Sequence, residues 1–114
     1  MSKTTNPYEQ YKSLIEEFDY ILDIYERSQT EEKKYPPGFM KYIYERMLKN
    51  INSFVNKAGI LKSQLSNFDP SLRLRSSAIG GDSSILCDDA LQKLNNSIER
   101  LEDYRDKIDT IISK

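Results

Sequence analysis

Cys87 is the one sulfhydryl in this chain, and no histidine stands anywhere in the sequence to accompany it. A cysteine nucleophile needs a neighbouring base, and a zinc site needs several nitrogen or sulfur ligands; a lone thiol meets neither condition. The absence of histidine also removes the commonest general base near neutral pH. Cys87 therefore reads as a small residue near the start of a helix, with no partner for an internal disulfide.

The other reactive groups follow the same pattern. Glu16-Glu17 and Asp88-Asp89 are adjacent carboxylates, but the carboxylates of these helices mostly lie on polar faces, so each pair reads as solvated surface. No EF-hand spacing occurs. Gly80-Gly81 lacks the spaced glycines and the lysine of either nucleotide-binding fingerprint. No catalytic residue, metal ligand set or cofactor is expected, and the chain reads as a non-enzyme.

A nucleic-acid surface is the remaining chemical option. Lys41, Arg46, Lys49, Lys57, Lys62, Arg73 and Arg75 concentrate positive charge in the middle of the chain, and eight tyrosines could stack on bases. Most of those tyrosines, however, lie in an acidic segment or at core positions. The net charge of −1 supplies no global attraction to nucleic acid or to acidic membranes. Neither partner is expected.

The elements that carry these residues are helices. At 114 residues, with 38% apolar and 31% charged side chains, the chain suits one soluble helical domain with a lean core. No apolar run approaches the ~20 residues of a membrane span, and a signal-peptide core is missing from the N-terminal residues. A cytoplasmic or nuclear location is expected.

Helix one is expected over about 7–33. Asn6 is a preferred N-cap, Pro7 suits the first helical position, and Glu9 stands where a capping box would close. Tyr8, Tyr11, Ile15, Phe18, Leu22 and Tyr25 then recur at steps of three and four, a heptad seam. Leu14 and Ile21 flank it, and Ile24 widens the stripe beyond what a two-stranded coil needs.

The passage "EEKKYPPGFM" breaks that helix, because Pro36 forces Tyr35 away from helical geometry. Pro37 suits the first turn of the next helix, and Gly38 permits a tight turn. Two prolines without a PxxP spacing make a corner better than they make an SH3-type ligand.

Helix two is expected over 37–67, with Met40, Ile43, Met47, Ile51, Phe54, Ala58, Leu61 and Leu65 on its apolar side. The step of four from Met47 to Ile51 makes this series drift from a strict heptad. Gly59 inside it suggests a bend or a close helix approach.

A long loop, 68–83, follows. Its "SLRLRS" alternates apolar and basic residues, as a short extended segment does. It reads either as a tether packing Leu72 and Leu74 on the bundle or as a basic strip or strand edge for a partner.

Helix three is expected over 84–113, with Asp88 and Asp89 favoured by the dipole at its start. Leu91, Leu94, Ile98, Leu101, Arg105, Ile108 and Ile112 form its seam.

Charge divides at the breaks. Residues 1–35 carry five basic and eight acidic side chains, residues 36–75 seven and two, and residues 76–114 five and eight. A basic middle helix between two acidic ones complements itself, which helps select the arrangement.

The expected fold is all-α: three long amphipathic helices in an elongated bundle or coiled-coil arrangement, completed by a partner's helices. Tyr8, Tyr11, Ile15, Phe18, Leu22 and Tyr25 of helix one, with Leu94, Ile98, Leu101 and Ile108 of helix three, are the candidate interface residues.

Three stretches also resemble a known family. "EQYKSLIEEFDYILDIYERSQ" (Glu9–Gln29), "YERMLKNINSFVNKAGILKSQL" (Tyr44–Leu65) and "GGDSSILCDDALQKLNNSIERL" (Gly80–Leu101) are similar, in order and length, to the helices of Mediator head-module subunit eleven. The last enters its helix through an alanine–leucine pair, here Ala90-Leu91. The resemblance implies a nuclear, non-enzymatic subunit that completes a four-helix bundle with another small subunit and helps regulate RNA polymerase II. The alternative is a free-standing helical bundle, such as a phage or bacterial regulator or an immunity protein. The two differ in whether the isolated chain hides its own apolar stripes.

Overall fold

The computed structural model describes residues 6–31, 35–76 and 83–113. Asn6 opens the first helix as its side chain implies: Oδ1 accepts the Tyr8 N–H at 2.7 Å, which satisfies one orphan donor of the first turn. This helix, α1, runs Pro7–Glu31. Its expected end at 33 lies outside the described residues, as do Gly80-Gly81 and Lys114.

The second helix, α2, runs Pro37–Leu65, and Pro36 caps it with an extended backbone (φ −61°, ψ 149°) and no side-chain hydrogen bond. Gly38 belongs to the first turn of α2, without a positive φ. The proline pair makes the corner, and the glycine's freedom is not used there.

Strand β1, Arg73–Arg75, is the alternating segment anticipated in the loop. It pairs antiparallel with β2, Ser84–Leu86, in the register Arg73↔Leu86, Leu74↔Ile85 and Arg75↔Ser84. Leu74 turns into the core while Arg73, Arg75 and Leu72 face solvent. Ser84–Leu86 were expected as the opening of the third helix and are strand instead.

The third helix, α3, therefore begins at Cys87 and runs to Ile112. Residue 86 is extended and offers no side-chain cap. Loop carbonyls take its place: the Cys87 N–H donates to Leu72 O at 2.8 Å and the Asp88 N–H to Pro70 O at 3.1 Å. The preceding turn is held by Asp69, whose carboxylate accepts the Ser71 N–H and hydroxyl at 2.9 and 2.8 Å. Those two bonds hold its carboxyl below the ordinary value.

The helices run up, down and up, with α2 in the centre and packed along its length by both neighbours. The architecture is all-α apart from the short hairpin, and it is elongated. Its extents are 48 × 30 × 26 Å and its radius of gyration 16.7 Å, against about 13 Å for a compact chain of this length.

The buried positions of α2 are Met40, Tyr44, Met47, Ile51, Phe54, Ala58, Leu61 and Leu65. Their steps alternate four and three without interruption, so the seam is a strict heptad after all. The apparent drift in the sequence came from reading Ile43 as the seam residue; Tyr44 holds that place and Ile43 is half-buried beside it.

In α1 the fully buried apolar residues are Leu14, Phe18 and Ile21. The centre of its stripe thus lies toward the expected flanking row. In α3 the buried set is Cys87, Ala90, Leu94, Ser97, Leu101 and Ile108. Two small residues, Ala90 and Ser97, occupy positions where the sequence pattern favoured Leu91 and Ile98. The interior accepts small side chains where helices approach closely.

Gly59 plays no part in such an approach, because a Cβ built on it meets nothing within 4 Å. Among the described residues one ion pair joins two elements, Lys57 to Glu17 at 3.2 Å. The other three lie within α1 or α3. Complementary segment charge therefore contributes little by direct pairing, and the apolar seams carry the arrangement.

Candidate functional site

Phe18, Leu94, Leu101 and Ile108 belong to the chain's own interior. Tyr8, Tyr11, Leu22, Tyr25 and Ile98 are partly buried and pack against it. Ile15 is half-buried without joining that shell. Tyr25 stacks on Tyr104 with ring centroids 4.1 Å apart and planes 12° from parallel, which links α1 to α3 directly. Burial is the largest cause raising the hydroxyl pKa of both Tyr11 and Tyr25 above the ordinary value.

Cys87 is fully buried, and its thiol donates to the Leu65 carbonyl at 3.3 Å, joining the end of α2 to the start of α3. Burial first, then Asp88 and Asp69, push that thiol's pKa up. A protonated, enclosed sulfhydryl is a poor nucleophile. Arg105, on the expected seam of α3, reaches across to the Asn52 side-chain oxygen at 3.2 Å while its stem lies along the bundle. Among the described residues no three acidic or thiol side chains converge as a metal site would require. No helix there is long and apolar enough to cross a membrane.

What the fold leaves outside is more informative than what it encloses. Seen from the end where α1 meets α2, a groove of about 370 Å³ opens between the two helices. Its floor is mainly apolar, formed by Ile24, Ile43 and Met47 with the polar Ser28 and Asn50 beside them. Its walls are aromatic and open to solvent: Tyr20 is 59% exposed, Tyr42 53% and Phe39 45%. Tyr35 continues the wall, 5.0 Å from Phe39 between ring centroids, and Phe39 stands 6.4 Å from Tyr42.

The rim carries one cation outside any ion pair among the described residues, Arg46. Arg46 lies over the Tyr42 ring, 5.8 Å from its centroid, and donates to the Tyr42 hydroxyl at 3.3 Å. Arg27 pairs with Asp23 at 3.3 Å on the solvent side. Two arginines and no carboxylate line this groove among the described residues.

A second groove, about 390 Å³, lies between the same helices at the other end. Glu17 and Lys57 neutralise each other there, and Glu9 accepts a bond from the Ser76 hydroxyl at 2.9 Å. Ile60, 56% exposed, is its one strongly exposed apolar residue. The aromatic groove is the better candidate because its rings and its Arg46 charge are turned outward.

Sequence reasoning missed Tyr20, Phe39 and Tyr42 as site residues because it looked for interface anchors on the apolar seams. The available signal was the opposite one: large aromatics standing off the seam. Comparison with known proteins adds no analogy, since no family model fits the chain and no curated protein or solved structure is significantly similar to it.

Proposed function

We propose that this protein is a non-catalytic helical interaction subunit that forms its own three-helix core and receives a partner protein at the α1–α2 end. The observation that carries this reading is the aromatic groove. Exposed rings of Tyr20, Phe39 and Tyr42 surround one mainly apolar floor in a chain that otherwise turns its heptad seams inward. Aromatic and arginine side chains around a pocket are the composition of interface hot spots. An apolar patch of this kind marks a binding surface more often than a solvated one.

A nuclear assembly of the Mediator type, acting on RNA polymerase II, is the setting we propose from the resemblance of the three helical stretches. A second reading has an observation of its own. The chain encloses Phe54, Ile51, Leu94 and Leu101 without help, each at 0% exposure, as a free-standing bundle that neutralises or regulates one target would.

Purification of the tagged chain from its source cells separates them. The subunit reading expects a set of proteins in near-equal amounts, lost when Phe39 and Tyr42 are both replaced by alanine. A single co-purifying target supports the free-standing bundle. Recovery of the same proteins with the double variant overturns the groove as the contact site.

A further inference from the structure

Resting on the interaction reading above, we infer that the occupant of the aromatic groove is an acidic amphipathic helix of another protein. Such a helix would set large aliphatic or aromatic anchors between Tyr20 and Tyr42, with a carboxylate one turn away meeting Arg46.

Shape favours a helix. The groove lies between two antiparallel helices whose facing rows repeat every three or four residues, and a third rod laid between them extends the bundle on the side away from α3. Anchors at i, i+3 and i+4 of an incoming helix match that spacing. The volume, about 370 Å³, lies at the low end of the roughly 300–1,000 Å³ of pockets that take small molecules. It suits a few anchors and not a whole domain.

Charge favours acid. Arg46 makes no salt bridge among the described residues; its contacts are with Tyr42, a hydrogen bond at 3.3 Å and a ring face at 5.8 Å. Those contacts hold the guanidinium at the rim while leaving most of its donors for an incoming carboxylate, which an arginine fork accepts in two parallel bonds. Arg27 adds positive charge on the α1 side, tempered by Asp23. A basic helix in the same place would meet like charge, and that repulsion gives the site its selectivity.

The test uses the full chain, labelled with nitrogen-15, and three synthetic helical peptides of equal length. One carries leucine and phenylalanine anchors with glutamate flanks, one the same anchors with lysine flanks, and one glutamate flanks with the anchors replaced by alanine. The inference expects the glutamate-flanked anchored peptide to bind at least tenfold more tightly than its lysine counterpart. Its shifts should centre on Tyr42 and Arg46, and the alanine peptide should not bind. Arg46→Gln should reduce the preference, and Arg46→Glu should reverse it, with the spectrum of the free protein otherwise unchanged.

Equal binding of the glutamate and lysine peptides within the groove overturns the acidic occupant and leaves the docking reading standing. Shifts elsewhere, or none, overturn both. Concentration-dependent shifts of the groove in the protein alone overturn the inference in favour of a second copy of this chain.

Discussion

Replacing Phe54 by alanine tests whether the three helices form a self-sufficient interior. Phe54 lies mid-way along α2 at 0% exposure, with the Phe18 ring 6.0 Å away across the α1–α2 seam. Truncating a buried phenylalanine costs about 3–5 kcal/mol, because the transfer energy of the ring is lost and the cavity closes only in part. A domain of 114 residues has a total stability of roughly 6–17 kcal/mol, so this one change removes a large share. With an unfolding entropy near 2.1 cal/mol/K per residue, each kcal/mol shifts the midpoint by about 4 °C. The expected fall in Tm is thus roughly 12–20 °C.

Phe39→Ala supplies the contrast, since that ring is 45% exposed and its ring neighbours, Tyr35 and Tyr42, are themselves open to solvent. A change at such a site is expected to stay within about 1 kcal/mol, or roughly 4 °C. Both variants are followed by circular dichroism on the isolated chain. If Phe54→Ala moves the midpoint by less than about 6 °C, or if the two substitutions cost the same, the interior is not closed as described.

Three further outcomes follow from the packing. Tyr44 is buried and its hydroxyl has no hydrogen-bond partner among the described residues, so Tyr44→Phe should stabilise by about 1 kcal/mol in urea unfolding, and a loss of that size would show that the hydroxyl is partnered. Gly59→Ala should stabilise by about 0.5–1 kcal/mol, because the new methyl enters open space and the unfolded chain loses freedom; a destabilised variant would show that α2 bends or meets a neighbour there. Cys87, enclosed and with its pKa raised, should react with a thiol reagent at pH 7.5 only as fast as the α2–α3 junction opens, and reaction within seconds in the native protein would contradict its burial.

The sequence made the helices legible because their breaks are chemical: a proline pair after α1, and Asp69-Pro70 with its Ser71 turn after α2. It was less clear about rotation. Tyr44 and Ile43 are both plausible seam residues by hydropathy, and only the partner surfaces decide that the longer, amphipathic ring goes inward. Ala90 and Ser97 are invisible to a search for large apolar residues, although both are buried in the bundle.

Strand β2 was unreadable for a different reason. Ser84–Leu86 is too short for a period of its own, and its conformation is set by pairing with Arg73–Arg75 about ten residues earlier. The aromatic groove was hidden because Tyr20 and Tyr42 look like ordinary polar-face residues until both helices bring them to one opening.

Docking at the α1–α2 groove is tested most directly by placing a photo-reactive benzoylphenylalanine at position 42, and separately at the exposed α3 position 99, in the source cells. Docking at the groove should give one discrete adduct with a single partner protein from position 42, competed by excess unmodified chain, and none from position 99. Failure to form an adduct at 42, or matching adducts from both positions, would contradict it.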